Sequence, residues 1–219
     1  MISGLLLVLI VNYRRFLLGK RFFMDIVREK LSKVVVGIAG LGGLGSNVAV
    51  ALARTNIGKL IIADFDSVDQ SNLNRQQYFV DQIGMPKVEA LTLNLRRINP
   101  DVEIQGHRVR LNSENVAEIF SDCDVIAECF DKADTKQMIV ETVLRKMPKV
   151  FMVAASGLAG YGRSNQITTR RVNSRLVMVG DFESGIDKIN ILTAGRVAIA
   201  ANHQANAIVE YLVDGKVEE

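Results

Sequence analysis

Gly40-Leu41-Gly42-Gly43-Leu44-Gly45 spells G-x-G-x-x-G. In that spacing one glycine permits a tight turn, one lets phosphate approach the backbone, and one lets a helix pack closely on a strand. Asp64 stands 19 residues beyond Gly45, the usual place for an acid that accepts ribose hydroxyl hydrogen bonds. With a strand before it and a helix after it, the pattern points to a bound nucleotide, without choosing among NAD, FAD and ATP. The next segments bear on that choice. Asp64-Phe65-Asp66-Ser67-Val68 runs into Ser71-Asn72-Leu73-Asn74-Arg75-Gln76, and then Gly84-Met85-Pro86-Lys87-Val88-Glu89. A dinucleotide-dependent oxidoreductase accounts for the glycines and Asp64 but leaves Arg75 and Lys87 without a role. A triphosphate gives them one, because charge grows on a leaving pyrophosphate. Arg75 offers a planar fork for phosphate oxygens and Lys87 a compact mobile charge. Asp131, read as ending a fourth strand, is a carboxylate able to hold Mg²⁺ against those phosphates.

The elements that would position these groups alternate regularly. Asp25–Ser32 reads as a short helix. Lys33–Ala39 is a continuous β-branched run, as expected of a strand buried on both faces. Leu44–Thr55 has helical spacing, and Lys59–Asp64 is a second strand. Pro86 suits the first turn of a helix running to Ile98, stopped by Asn99-Pro100. Val102–Val109 is a third strand, and Asn112 or Ser113 caps a short helix through Phe120. Asp124–Phe130 and Lys149–Ala155 are the fourth and fifth strands, with a helix over Ala133–Met147 between them. After Ser156 a glycine-rich connection, GLAGYGRSN, leads to two strands, Gln166–Val172 and Arg175–Val179, read as an antiparallel pair. A long apolar helix, Ala194–Val213, follows. Strand–helix alternation calls for right-handed crossovers. The expected fold class is therefore α/β: a doubly wound, mostly parallel Rossmann-like sheet with an antiparallel C-terminal addition and a closing helix. Residues 1–24 read as an extension, and 25–219 as a single nucleotide-binding domain.

DFDSVDQSNLNRQ followed by GMPKVEAL, behind the GLGGLG turn, resembles the ubiquitin-activating-enzyme-like superfamily, whose bacterial members include the ThiF and MoeB adenylyltransferases. The resemblance covers about Lys33–Ala155. The segments VGDF and RVAIAANHQAN are similar to a short ThiF-type subfamily associated with thiamine biosynthesis. That resemblance implies that Gly40, Gly42 and Gly45 form the nucleotide turn, that Asp64 binds ribose, and that Asp66 is also among the nucleotide-binding residues. Asn72, Arg75 and Lys87 would contact phosphates, and Asp131 would serve Mg²⁺. It implies ATP-dependent adenylation of the C-terminal Gly-Gly carboxylate of a small ubiquitin-like sulfur-carrier protein, in a homodimer, with an arginine sent into the partner's site. Arg14 or Arg15, ahead of Arg21, would be that arginine; a solvated or membrane-facing basic patch is the alternative. The same superfamily also activates a carboxylate on tRNA.

The chain departs from that pattern in three places. Its only cysteines, Cys123 and Cys129, form no Cys-x-x-Cys pair, so no zinc site is expected. Both are read as small buried hydrophobes rather than as thioester or sulfur-transfer groups. Lys132 follows Asp131 where relatives carry Asn. In the last helix Asn202, His203, Gln204 and Asn206 interrupt an apolar stretch, for a subunit interface, the carrier's approach or a solvent face; His203 is read as structural before catalytic. The Gly157–Asn165 loop is either a clamp for the carrier's Gly-Gly tail or a simple turn.

Composition bounds the rest. With 219 residues, 48% hydrophobic and 23% charged, the chain is globular rather than disordered. Two cysteines exclude a disulfide scaffold and make a reducing, cytoplasmic setting the default. Residues 1–33 hold seven Lys/Arg and two Asp/Glu, which leaves 20 against 22 in the remainder. A near-neutral body argues against nucleic acid. Leu5–Val11 is an apolar run of seven, far below the roughly 20 a membrane span needs, so no stable insertion is expected.

Overall fold

A computed structural model describes residues 25–185 and 191–218. Helix α1 is seen over residues 25–31. Then come β1 (Val35–Ala39), α2 (Gly43–Arg54), β2 (Lys59–Asp64), α3 (Lys87–Ile98) and β3 (Glu103–Arg108). The second half holds α4 (Val116–Ile119), β4 (Val125–Glu128), α5 (Ala133–Lys146) and β5 (Phe151–Ala155), then β6 (Thr168–Asn173), β7 (Leu176–Gly180) and α6 (Ala194–Asp214). The strands form one seven-stranded sheet in the order β3-β2-β1-β4-β5-β7-β6. Strand order reverses between β1 and β4, and the carboxyl ends of those two strands border the crevice where sheets of this type take ligands.

Alternation along each strand builds two cores. Leu60 and Ile62, Val125 and Ala127, and Phe151, Val153 and Ala155 face one side, packed with residues of α2, α3 and α6. Ile61 and Ala63, Ile126, and Met152 and Ala154 face the other, with Val116, Phe120, Ile139, Val143 and Met147 from α4, its C-terminal flank and α5. Successive strand side chains point to opposite faces, so a strand covered by helices on both sides must be apolar without interruption. That is why these strands read as continuous hydrophobic runs.

The C-terminal pair is antiparallel as expected, β6 with β7. It joins the sheet through β7, which runs parallel to β5 with Met152 opposite Leu176. The long 156–167 connection carries the chain past the position of β7 before β6 forms, so the return strand inserts in the direction of β5. One expectation needs correction: the fourth strand ends earlier than expected, at Glu128 rather than Phe130. The Cys129 N–H still bonds the Ala39 carbonyl at 2.9 Å. The Glu128 carboxylate then takes the Phe130 N–H at 2.7 Å and turns the chain out of the sheet. Asp131 therefore lies in the connection after β4 and is exposed.

Candidate nucleotide site

The turn between β1 and α2 is built by backbone contact. Gly40 has φ +90°, and a Cβ there would lie 3.0 Å from the Cys129 carbonyl oxygen; a side chain is excluded on both counts. A Cβ on Gly45 would fall 1.8 Å from the Gly40 carbonyl oxygen, so turn and helix touch backbone to backbone. Gly42 differs. Only Gln76 Nε2, at 3.7 Å, comes within 4 Å of its Cβ position. Among the described residues nothing else fills the space over Gly42. Gly42 also gives α2 no side-chain cap, and no acid stands in the helix's first turn, which leaves that N-terminus open to an anion.

Asp64, at the end of β2 and buried, holds this turn in place. One carboxylate oxygen accepts the Leu41 N–H at 2.6 Å and the other the Asp66 N–H at 2.8 Å. Each oxygen keeps a second lone pair for a ligand donor. The Tyr78 hydroxyl donates to the Leu41 carbonyl at 2.8 Å. Burial, and then the nearby Asp64 charge, push its pKa up, so it stays a phenol and a donor.

A strap over residues 75–78 brings Arg75 to the same turn. Asn47 Nδ2 donates to the Arg75 carbonyl at 3.0 Å and to the Gly43 carbonyl at 2.7 Å. The Gln77 N–H reaches Ser46 Oγ at 3.1 Å, and Gln77 Nε2 reaches Asn47 Oδ1 at 2.7 Å. Arg75 Cγ consequently lies 3.6 Å from the Cβ position of Gly43, which Val197 of α6 approaches to 3.1 Å from another side. Among the described residues the guanidinium is held by amide oxygens alone, Asn74 Oδ1 at 2.9 Å and Asn72 Oδ1 at 3.0 Å. Neutral acceptors fix its direction without neutralising its charge.

Lys87 opens α3 and is 6% exposed. Its Nζ lies 3.2 Å from Asp66 Oδ2, on a side chain that is 48% exposed. The Lys87 N–H also bonds the Asp66 carbonyl at 2.9 Å. One hydrogen-bonded series therefore runs from Lys87 through Asp66 and Asp64 to Leu41. Asp131 is not drawn into it. It follows the Cys129–Phe130 segment that borders Gly40, but no hydrogen bond joins it to Arg75 or Lys87. Among the described residues no group of three or more His, Cys, Asp or Glu is gathered to hold a metal ion. Arg14, Arg15 and Arg21 lie outside the described residues.

The other singled-out residues have defined places. Burial pushes both cysteine thiols up, with Asp124 adding to the effect at Cys123 and Glu128 at Cys129; neither is a thiolate nucleophile at neutral pH. His203 Nδ1 lies 3.1 Å from Thr169 Oγ1 of β6. The polar group on α6 is divided rather than clustered. Asn202 and Asn206 are exposed, while Gln204 is fully buried and donates to the carbonyls of Glu128 at 3.0 Å and Val153 at 3.3 Å, tying α6 to β4 and β5. The Gly157–Asn165 loop is fixed by Arg196, whose Nη1 donates to the Gly162 and Arg163 carbonyls at 2.8 and 3.2 Å and whose Nη2 pairs with Asp181.

Sequence reasoning missed the strap residues Ser46, Asn47 and Tyr78, and a buried ion pair. Glu128 is 1% exposed and accepts Lys136 Nζ on both oxygens, at 2.9 and 3.0 Å. A glutamate inside the apolar run DVIAECF is itself the signal, because a buried carboxylate requires a partner.

The molybdopterin-synthase adenylyltransferase of Haemophilus influenzae is 35% identical over 130 residues, which is 59% of this chain and 53% of that protein. The adenylyltransferase and sulfurtransferase MOCS3 of Xenopus laevis is 38% identical over 136 residues, 61% of this chain and 30% of its own length. The chain thus spans about half or less of these curated relatives. Among solved structures, the E. coli tRNA N6-threonylcarbamoyladenosine dehydratase in complex with AMP superposes with a TM-score of 0.80 at 20% identity, over 89% of this chain and 92% of that one. A likeness at that identity concerns the fold alone. The model of the ThiF family matches residues 13–213, and the chain belongs to that family.

Proposed function

We propose that the protein is an ATP-dependent adenylyltransferase that acts on the C-terminal carboxylate of a small ubiquitin-like sulfur carrier ending in Gly-Gly. The observation that carries this reading is the pair of cations at the turn: Arg75 held only by neutral amides, and Lys87 buried with a single half-exposed partner. A polyphosphate accounts for both, giving Arg75 the anion it lacks among the described residues and Lys87 one beyond Asp66. The space over Gly42 and the uncapped start of α2 lie beside them.

In this reading Gly40, Gly42 and Gly45 shape the phosphate turn, and Asp64 and Asp66 border the ribose. Asn72 aims Arg75, and Arg75 and Lys87 neutralise the β- and γ-phosphates. A carboxylate is already nucleophilic at neutral pH, so no serine or cysteine is needed. One of its oxygens bonds to the α-phosphorus as the bond to the bridging oxygen of pyrophosphate breaks, and the electron pair leaves with pyrophosphate. The chain contributes alignment and charge stabilisation. Asp131, exposed and free of protein partners in the described bonds, fits a Mg²⁺ ion that takes its remaining ligands from phosphate and water; such an ion supplies further neutralisation of the phosphates.

The VGDF and RVAIAANHQAN segments support placing the activity in thiamine biosynthesis, in a cytoplasmic homodimer. Residues 1–24 are then an extension to one nucleotide-binding domain, with Arg14 or Arg15 reaching the partner's site. Among the described residues no helix is long and apolar enough to cross a membrane. The test is pyrophosphate exchange into ATP. Exchange that depends on a Gly-Gly-ending carrier supports the reading. Exchange driven by tRNA favours carboxylate activation on tRNA instead, and no exchange with either refutes adenylation.

A further inference from the structure

Gln76 is more than nine-tenths buried, yet among the described residues no hydrogen bond engages either end of its side-chain amide, and its Oε1 is sealed from solvent. Its neighbours in sequence, Asn72, Asn74 and Gln77, all have side-chain partners. An apolar side chain of the same length would fill this place without leaving a buried acceptor unpaired. A ligand over Gly42 leaves Oε1 as it is; the end that bears on the site is Nε2, which is also without a hydrogen-bond partner among the described residues. This Nε2 sits 3.7 Å from the Cβ position of Gly42, nearer than any other group of the described residues outside that turn.

We infer that Gln76 is a further nucleotide contact, its Nε2 donating to a phosphate oxygen of a nucleoside triphosphate seated over Gly42. The inference rests on the nucleotide reading above and adds a residue to it. A neutral amide supplies a directional donor beside Arg75 without adding a third positive charge to those of Arg75 and Lys87. The strap bonds from Ser46 and Asn47 to the flanking residues Arg75 and Gln77 fix the backbone on both sides of Gln76, so the donor is positioned before the ligand arrives.

The experiment compares wild type with Gln76→Met in two measurements: thermal unfolding without nucleotide, and calorimetric titration with ATP. The variant is expected to melt at the same temperature or higher, while its Kd for ATP rises at least ~10-fold, the scale of a hydrogen bond to a charged group. An ATP Kd within about twofold of wild type overturns the inference. So does a melting temperature that falls in step with affinity, which marks Gln76 as packing. Should the variant fail to fold, the side-chain amide resonances of Gln76 in wild type are followed during ATP titration; a saturable shift supports the contact and unmoved resonances overturn it. Wild type that binds no ATP refutes the nucleotide reading itself, a result distinct from wild type and variant binding equally.

Discussion

Lys87 and Lys136 are two lysines near the carboxyl edge of the sheet whose removal should have opposite consequences. Lys87 is buried, but the carboxylate it faces belongs to Asp66, whose side chain is 48% exposed and 3.2 Å away. Lys87→Met leaves that carboxylate to water and removes a desolvated ammonium. The stability change should stay within about 1 kcal/mol, because a buried ion pair gives little net stabilisation when the remaining partner can be solvated. For a chain of this size that is a shift of roughly 2–4 °C in Tm. Lys136→Met strands Glu128, which is 1% exposed and keeps only the backbone N–H groups of Phe130 at 2.7 Å and Ala155 at 3.4 Å. That cost is about 3–5 kcal/mol, or roughly 6–20 °C. Thermal melts of both variants and carrier-dependent pyrophosphate exchange decide the matter. Lys87→Met should keep its Tm and lose at least ~100-fold in exchange, the scale of a lost transition-state charge contact. If Lys87→Met melts as low as Lys136→Met, or exchanges within tenfold of wild type, Lys87 is structural and the reasoning fails.

Gly45→Ala should lower Tm by at least ~5 °C and abolish ATP binding, since its Cβ would overlap the Gly40 carbonyl at 1.8 Å; a wild-type melt would show that turn and helix separate freely. Replacing Cys123 and Cys129 together by Ala should leave exchange intact, and the native thiols should resist iodoacetamide at pH 8 because burial raises both pKa values. Rapid alkylation of folded protein would contradict this. Burial alone would raise the Asp181 carboxyl, but hydrogen bonds from Ser184, Glu183 and Arg196 outweigh it and hold the pKa below the ordinary value. Asp181→Asn should therefore cost roughly 3 kcal/mol at neutral pH by stranding Arg196. The difference from wild type should shrink as pH falls from about 4 through the folded pKa, where the wild-type carboxylate is protonated. Denaturant melts at pH 7 and pH 3 that give the same difference would refute it.

The order of elements was legible because the inner strands β1, β2, β4 and β5 are largely apolar runs closed by glycine or a polar residue; the edge strands β3 and β6 are polar along much of their length. Lys59–Asp64 was read to its observed limits. The antiparallel β6–β7 pair was read correctly; which strand β7 would join, and in which direction, was not legible, since an apolar run is the same beside a parallel or an antiparallel neighbour. Nor was the early end of β4, which depends on where one carboxylate finds an N–H. The glycines and Asp64 declared the turn through local spacing. Ser46, Asn47 and Tyr78 did not, because their partners stand 28 to 37 residues away and nothing nearby in sequence anticipates such bonds. Gln76 sat inside a recognised motif yet became visible only when its amide was found without partners.

The contact between Val197 and the Gly43 position ties the start of the molecule to a helix made some 150 residues later. With Gln204 bonded to β4 and β5 and Arg196 to the 162–163 loop, one wall of the crevice comes from α6. During translation, a nascent chain that has emerged only as far as β5 carries the glycine loop but lacks that wall. In the nucleotide reading, a chain ending before residues 194–214 should therefore hold ATP more weakly than the finished protein, whose crevice has both walls.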